Sequence, residues 1–281
     1  MQQQYYGNGN TMRQPSKFEG AQACKWLLII NIVVFFLDAG GVERGTIGRF
    51  KEFGGYTTDG FLAGQIWRVV SFQFLHFGGW HLLGNMLAVF FFGPFVERFW
   101  GTKKFVAYYL ICGAAGALFY SILGVLGVVE SYGLLCGASA GIFGIIVALI
   151  IIAPDMRVML LFPPIPMKMR TLGIVFLVIA VYVVLTGGQN DGGEAGHLGG
   201  AIMGFVLMKF PGLLGFLDPK GARGAKRPKV VREAKIRPRT VVNLQGDEVD
   251  RILDKISEQG FQSLTDEEKQ ILSDAAKRED D

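Results

Sequence analysis

Apolar residues along this chain gather into six runs, roughly 23–38, 81–96, 105–129, 138–153, 172–186 and 196–210, and most charges fall in the segments between and after them. Each run is too long for a buried strand. Gly and Ala are too frequent for the alternating pattern of an outer-membrane barrel. A helix crosses a bilayer in about 20 mostly apolar residues, fewer where protein surrounds it. The pattern therefore predicts an all-α polytopic membrane protein with six transmembrane helices. Beyond the last run the pattern changes. Residues 220–239 are basic and contain prolines, which predicts a flexible segment against anionic lipid headgroups. From Asp247 apolar positions return at helical spacing, first Val249, Ile252, Leu253 and Ile256, then Leu264, Ile271 and Leu272. Thr265 followed by Glu268 reads as a capping box that opens the second of two short helices. The expected layout is an N-terminal tail over 1–20, a six-helix core over 21–212, a basic linker over 213–245 and a small helical hairpin over 246–281.

Composition agrees with this reading: 51% of the 281 residues are hydrophobic. The first 20 residues are rich in Gln and Gly, with only Arg13 and Lys17 basic. They lack the features of a cleaved signal or transit peptide, so the first span is expected to remain. Cys24, Cys112 and Cys136 are too few and too scattered for a disulfide framework or a metal site. They are expected to act as small hydrophobes.

Charge sets the expected orientation, because Lys and Arg accumulate in cytoplasmic loops. Cations mark the N-terminal tail, the loop after the second run (Arg98, Lys103, Lys104), the loop after the fourth (Arg157, Lys168, Arg170) and the segment after the sixth. The loop before Ser139 holds only Glu130, and the loop before His197 holds Asp191 and Glu194 with no cation. Both termini are then cytoplasmic, and loops one, three and five are external. The long first external loop, 39–75, is expected to fold partly on the membrane surface.

Ser139 opens the fourth run and His197 the sixth, so the same argument puts both near the outer face. Burying an ionisable histidine in lipid is costly, and such a group usually has a partner. A serine beside a histidine is a nucleophile with its base. Helices come close enough for that bond only where small residues line the contact. Gly196, Gly200 and Gly204 form such a stripe on the sixth run, and Gly137, Gly141 and Gly144 on the fourth. Asp191 and Glu194 are expected to be solvated, so the reading is a Ser–His dyad without a carboxylate. Phe143, one turn below Ser139, could stack on the imidazole. His81 and Asn85 share a helical face and, with the Ser139 backbone N–H at a helix N-terminus, could serve as donors to an oxyanion. His76 and His81 are five residues apart with no carboxylate beside them, so no metal and no cofactor is called for. The cap over His197 is expected to be the glycine-rich loop 187–193, and the fifth run, 172–186, to move aside for substrate.

These residues together resemble the rhomboid intramembrane serine proteases, the six-span bacterial type with a C-terminal cytoplasmic module. The matching stretch reads Gly64-Gln65-Ile66-Trp67-Arg68, then Phe72, Phe74, His76, His81, Asn85, Gly93 and Glu97, followed by the 137–144 and 196–204 glycine motifs. The resemblance implies that Ser139 is the nucleophile and His197 the general base. It implies an oxyanion hole of His81, Asn85 and the Ser139 N–H. Trp67 and Arg68 would brace the first external loop, and Glu97 would make a structural contact near the inner side. It further implies transmembrane protein substrates cut near the outer face of the inner (plasma) membrane, contact with lipids and no nucleic-acid partner. The role of the terminal module stays open between docking a cytoplasmic partner and oligomerising. Ala140 departs from the glycine that many relatives have there. Two alternatives remain open: an inactive rhomboid-like protein that binds membrane clients without cutting them, and a transporter.

Overall fold

The computed structural model describes residues 17–38, 48–130, 133–160, 164–217 and 244–279. The chain divides into two compact units, Met1–Arg232 and Glu233–Asp281.

The first unit is a helical assembly whose long members follow the apolar runs: α1 (Gln22–Asp38), α5 (Gly79–Trp100), α6 (Thr102–Val125), α7 (Ser139–Ile152), α8 (Met169–Thr186) and α9 (Asp191–Lys209). Three of these, α5, α6 and α8, are long and apolar enough to cross a membrane. A fourth joins them if α9 is counted with the bent segment Pro211–Leu217, which turns away from it by 78°. Proline cannot continue a helix without losing a hydrogen bond, and the bend falls at Pro211. The chain is thus a multi-pass membrane protein. Apolar side chains exposed along α8, including Val178, Tyr182 and Leu185, are those that lipid would cover.

At the centre lies α7. Its sequence is apolar on every side, as expected of a helix surrounded by others, and Ile145, Ala148 and Leu149 have no exposed surface. It meets α6 and α9 along glycine seams. A β-carbon on Gly204 would lie 2.8 Å from the Gly144 Cα, and one on Gly116 would lie 2.5 Å from the Gly196 carbonyl oxygen. The sequence reading placed this seam between the fourth and sixth runs. The structure adds α6 as a third member, through Gly116 and Ala115.

Between α1 and α5 the first loop forms three short helices, α2 (Arg49–Gly54), α3 (Thr58–Leu62) and α4 (Arg68–Ser71), and a single turn at Phe72–Phe74. Its residues 39–47 lie outside the described residues. Asp38, at the end of α1, forms a buried ion pair with Lys51 of α2. A small antiparallel hairpin, β1 (Arg157–Met159) with β2 (Pro166–Lys168), joins α7 to α8. Its pairs are too short to show a strand period in the sequence.

At the far end of the core, Leu214 is 1% exposed and Pro211–Leu217 packs on α6 and α9. These residues belong to the helical unit, although composition assigned 213–217 to the basic linker. Most of that linker, 218–243, and the first 16 residues of the tail lie outside the described residues.

The second unit is a helical hairpin of α10 (Leu244–Gln259) and α11 (Asp266–Glu279), closed by Ile252 and Leu264, which are both buried. The capping box forms: the Thr265 N–H donates to Glu268 Oε2 at 2.8 Å, and the Glu268 N–H donates to Thr265 Oγ1 at 3.3 Å. Lys255 of α10 meets the same carboxylate at 2.9 Å.

Candidate active site

Helix α7 has 14 residues, about 21 Å at 1.5 Å per residue, against about 30 Å of hydrocarbon in a typical bilayer. A helix this short among longer neighbours leaves space beyond its end. A cavity of about 750 Å³ lies at its N-terminus, lined by Ser139, His197, His81, Asn85, Phe143 and Trp80 among others.

Ser139 is the first residue of α7 and projects into this cavity. Gly137, two residues earlier, has φ +141°, a backbone that L side chains rarely adopt. A β-carbon there would also lie 2.9 Å from the His81 ring. Gly141 faces Tyr109, whose ring would sit 2.6 Å from an added β-carbon. These close approaches bring α5 and α6 up against the start of α7.

His197 reaches the serine from α9. Its Nε2 is 2.7 Å from Ser139 Oγ, within the range for proton transfer. The Phe143 ring stacks on the imidazole, with centroids 4.3 Å apart and planes 10° from parallel. The other ring nitrogen, Nδ1, is 2.8 Å from Glu194 Oε2. This corrects the expectation that Glu194 is solvated. Helix α9 begins at Asp191, five residues before Gly196, so Glu194 and His197 stand one turn apart on one helix. The signal was present as an i, i+3 spacing, but it is visible only once the helix start is known. Asp191 turns elsewhere, accepting from the Gly192 N–H at 2.6 Å. The early helix start also shortens the expected glycine-rich cap to Gly187–Asn190. Gly187 and Asn190 both adopt left-handed backbone at its two ends.

On α5, His81 and Asn85 line the same cavity. Asn85 is 8% exposed, and among the described residues its Nδ2 has no hydrogen-bond partner. The first main-chain bond at the start of α7 runs from the Ile142 N–H to the Ala138 carbonyl, so the Ser139 N–H precedes the helical ladder and is left as a donor. His76 does not line the cavity. It is 1% exposed and meets His81 edge-on, with ring centroids 5.0 Å apart. Burial pushes it down to about 3, with smaller effects from His81 and Lys51.

Three further positions from the sequence reading lie away from the cavity. Trp67 stacks on Phe53 at 5.2 Å, and its indole N–H donates to the Phe53 carbonyl at 3.1 Å. Arg68 donates to the carbonyls of Gly55 and Glu52. Together they tie α4 to α2 in the first loop. Glu97 is fully buried and accepts from the Ala23 and Cys24 N–H groups, each at 2.9 Å, and from the Thr102 hydroxyl at 2.7 Å. It caps α1 with a carboxylate from α5. Among the described residues no group of three or more His, Cys, Asp or Glu side chains could hold a metal ion.

The Rhomboid domain model matches residues 63–211 of this chain, the stretch that carries Ser139, His197, His81 and Asn85. The chain belongs to the rhomboid family. It is similar to Rhomboid protease GluP of Bacillus subtilis (strain 168), 30% identical over 204 residues, which is 71% of this chain and 36% of that protein. The chain therefore spans about a third of the length of the relative it matches. Residues 243–278 match a family of unknown function (DUF6576), so the helical hairpin attached to the rhomboid domain is a recurring module in its own right.

Proposed function

We propose that this chain is an intramembrane serine endopeptidase. Ser139 is the nucleophile, His197 the general base, and His81, Asn85 and the Ser139 N–H are the oxyanion donors. The observation that carries the reading is the 2.7 Å approach of His197 Nε2 to Ser139 Oγ inside the cavity. A hydroxyl is a weak nucleophile until a base can take its proton.

In this scheme Ser139 Oγ attacks the scissile carbonyl while its proton passes to His197 Nε2. Charge develops on the carbonyl oxygen, where the unpartnered Asn85 Nδ2, His81 and the Ser139 N–H would receive it. The imidazolium returns the proton to the leaving amine, and an acyl-enzyme remains. Water, activated by His197, then releases the second product and restores the serine. Substrate must lie extended across the cavity, because a helix engages its own carbonyls.

The surrounding architecture follows. The six apolar helices each cross the membrane, both termini are cytoplasmic, and the cavity opens towards the outer face of the inner (plasma) membrane. Transmembrane proteins are the substrates and lipids the surroundings. The tail over 1–20, the core over 21–217, the basic linker that follows it to 245 and the hairpin over 246–281 divide the labour, with the hairpin free to dock a cytoplasmic partner. Helix α8 packs against α7 and α9 and exposes most of its apolar surface, so substrate would enter on its side. The full chain in liposomes should cut a transmembrane substrate once, in or beside its span, and should react with a fluorophosphonate. Cleavage that survives in Ser139→Ala or His197→Ala removes the assignment. Client binding without cleavage by the unmodified protein would favour the inactive-relative reading.

A further inference from the structure

We infer that Glu194 is a positioning residue for His197, so that the site works as a Ser139–His197–Glu194 unit rather than as a pair. The inference rests on the protease reading above for its kinetic consequence, though not for its geometry.

A neutral imidazole carries one proton on one of its two nitrogens. To accept from the Ser139 hydroxyl, Nε2 must present its lone pair, and the proton must then sit on Nδ1. In solution nothing enforces that choice. Here Nδ1 faces Glu194 Oε2 at 2.8 Å. An ionised carboxylate only accepts hydrogen bonds, so it selects the Nδ1–H form. Which tautomer is present is set by the bond the other nitrogen makes.

Three contacts hold the ring in one orientation: Ser139 at one nitrogen, Glu194 at the other, and Phe143 flat against its face. The His197 and Glu194 side chains are 15% and 18% exposed. Water is therefore largely kept from between them, and the carboxylate is well placed to stabilise the imidazolium that proton transfer creates. Glu194 also lies in the first turn of α9, where the helix dipole favours an anion. The other titratable groups around the cavity are His81 on α5, Tyr120 on α6, Glu130 and Cys136 in the loop before α7, and Asp191 at the start of α9. Asp191 is engaged by the Gly192 N–H and Tyr120 by the Gly133 carbonyl. Among the described residues Glu194 alone is hydrogen-bonded to Nδ1.

The test uses the full chain in liposomes, with Glu194→Ala, Glu194→Gln and Glu194→Asp beside Ser139→Ala. With a transmembrane substrate, Glu194→Ala should lower kcat by about 10- to 1,000-fold, within the span of general-base and orienting effects. KM should stay near its original value, since substrate binding is not touched. Glu194→Gln keeps an acceptor for Nδ1–H without the charge and should fall between the two. Glu194→Asp should recover part of the loss. The chain has three histidines, so ¹⁵N imidazole spectra can be assigned by single replacement. The unmodified protein should show His197 as the Nδ1–H form, and Glu194→Ala a mixture of tautomers. If Glu194→Ala folds poorly, the isosteric Glu194→Gln carries the same comparison. Equal kcat in a folded Glu194 variant, with Ser139→Ala inactive, overturns the inference. An unchanged His197 tautomer in Glu194→Ala overturns it too. Absence of cleavage by the unmodified protein would instead count against the protease reading, and the spectra would still decide the role of Glu194.

Discussion

Gly200 of α9 lies directly on the backbone of Ala140 in α7: a β-carbon added to Gly200 would sit 2.7 Å from the Ala140 carbonyl carbon. Ala140 follows Ser139 directly and Gly200 lies one turn after His197 on the same helix, so the glycine that lets the helices touch also sets the distance between Ser139 and His197. Gly200→Ala should push α9 away from α7. Overpacking typically costs about 1–3 kcal/mol, and misplacement by about 1 Å can lower a rate about 100-fold. The expected result is a large loss of turnover with a smaller fall in thermal midpoint. Normal turnover in this variant would mean that the seam does not set the catalytic distance.

On the proposed oxyanion role, Asn85→Ala and His81→Ala should reduce kcat more than they raise KM, because their donors would meet charge that exists only in the transition state. Loss of one such donor elsewhere costs about 2.7–4 kcal/mol, and three donors together would soften each single loss. Full turnover in both single variants and in the double would make these side chains structural.

Phe143→Ala should free the imidazole face and lower kcat, while Phe143→Tyr should retain most activity because the ring remains. Aromatic stacking contributes about 0.5–1.5 kcal/mol, so the stability change should be modest. Comparison of kcat with thermal midpoint across the two variants separates ring orientation from simple core filling.

Glu97→Gln should destabilise without altering chemistry per folded molecule. The carboxylate receives two backbone N–H groups at the start of α1 and a hydroxyl, and an amide can satisfy these only in part. Weakening hydrogen bonds to a buried charged group costs about 1.5–3 kcal/mol. Active-site titration with a fluorophosphonate would count competent molecules, and kcat per labelled molecule should be unchanged.

His76 predicts an acid-sensitive fold. It is held neutral, with its value lowered from 6.5 to about 3 first by burial and then by His81 and Lys51. The unfolded chain therefore binds the proton more readily, and the contribution is complete above pH 6.5. It is lost progressively as pH falls from 6.5 towards 3. His76→Phe should flatten the pH dependence of thermal inactivation across that window. An identical acid profile would show that His76 is not its source.

The sequence determined the six apolar helices because burial along a continuous backbone run is a local property, readable residue by residue. It also pointed to Ser139 and His197, since a histidine in an apolar run and two glycine stripes are each visible in one dimension. The capping box of Thr265 and Glu268 was legible for the same reason: both of its bonds close within four residues.

Tertiary structure alone decided what depends on distance between elements. Glu194 reads as a loop carboxylate until α9 is seen to start at Asp191, and only then does it face the ring of His197. The part played by Gly116 of α6 in the seam and the capping of α1 by Glu97 are likewise contacts between segments far apart in the chain. Such contacts have no period in sequence. They follow from how rigid helices cross, and that is set by all of their side chains together.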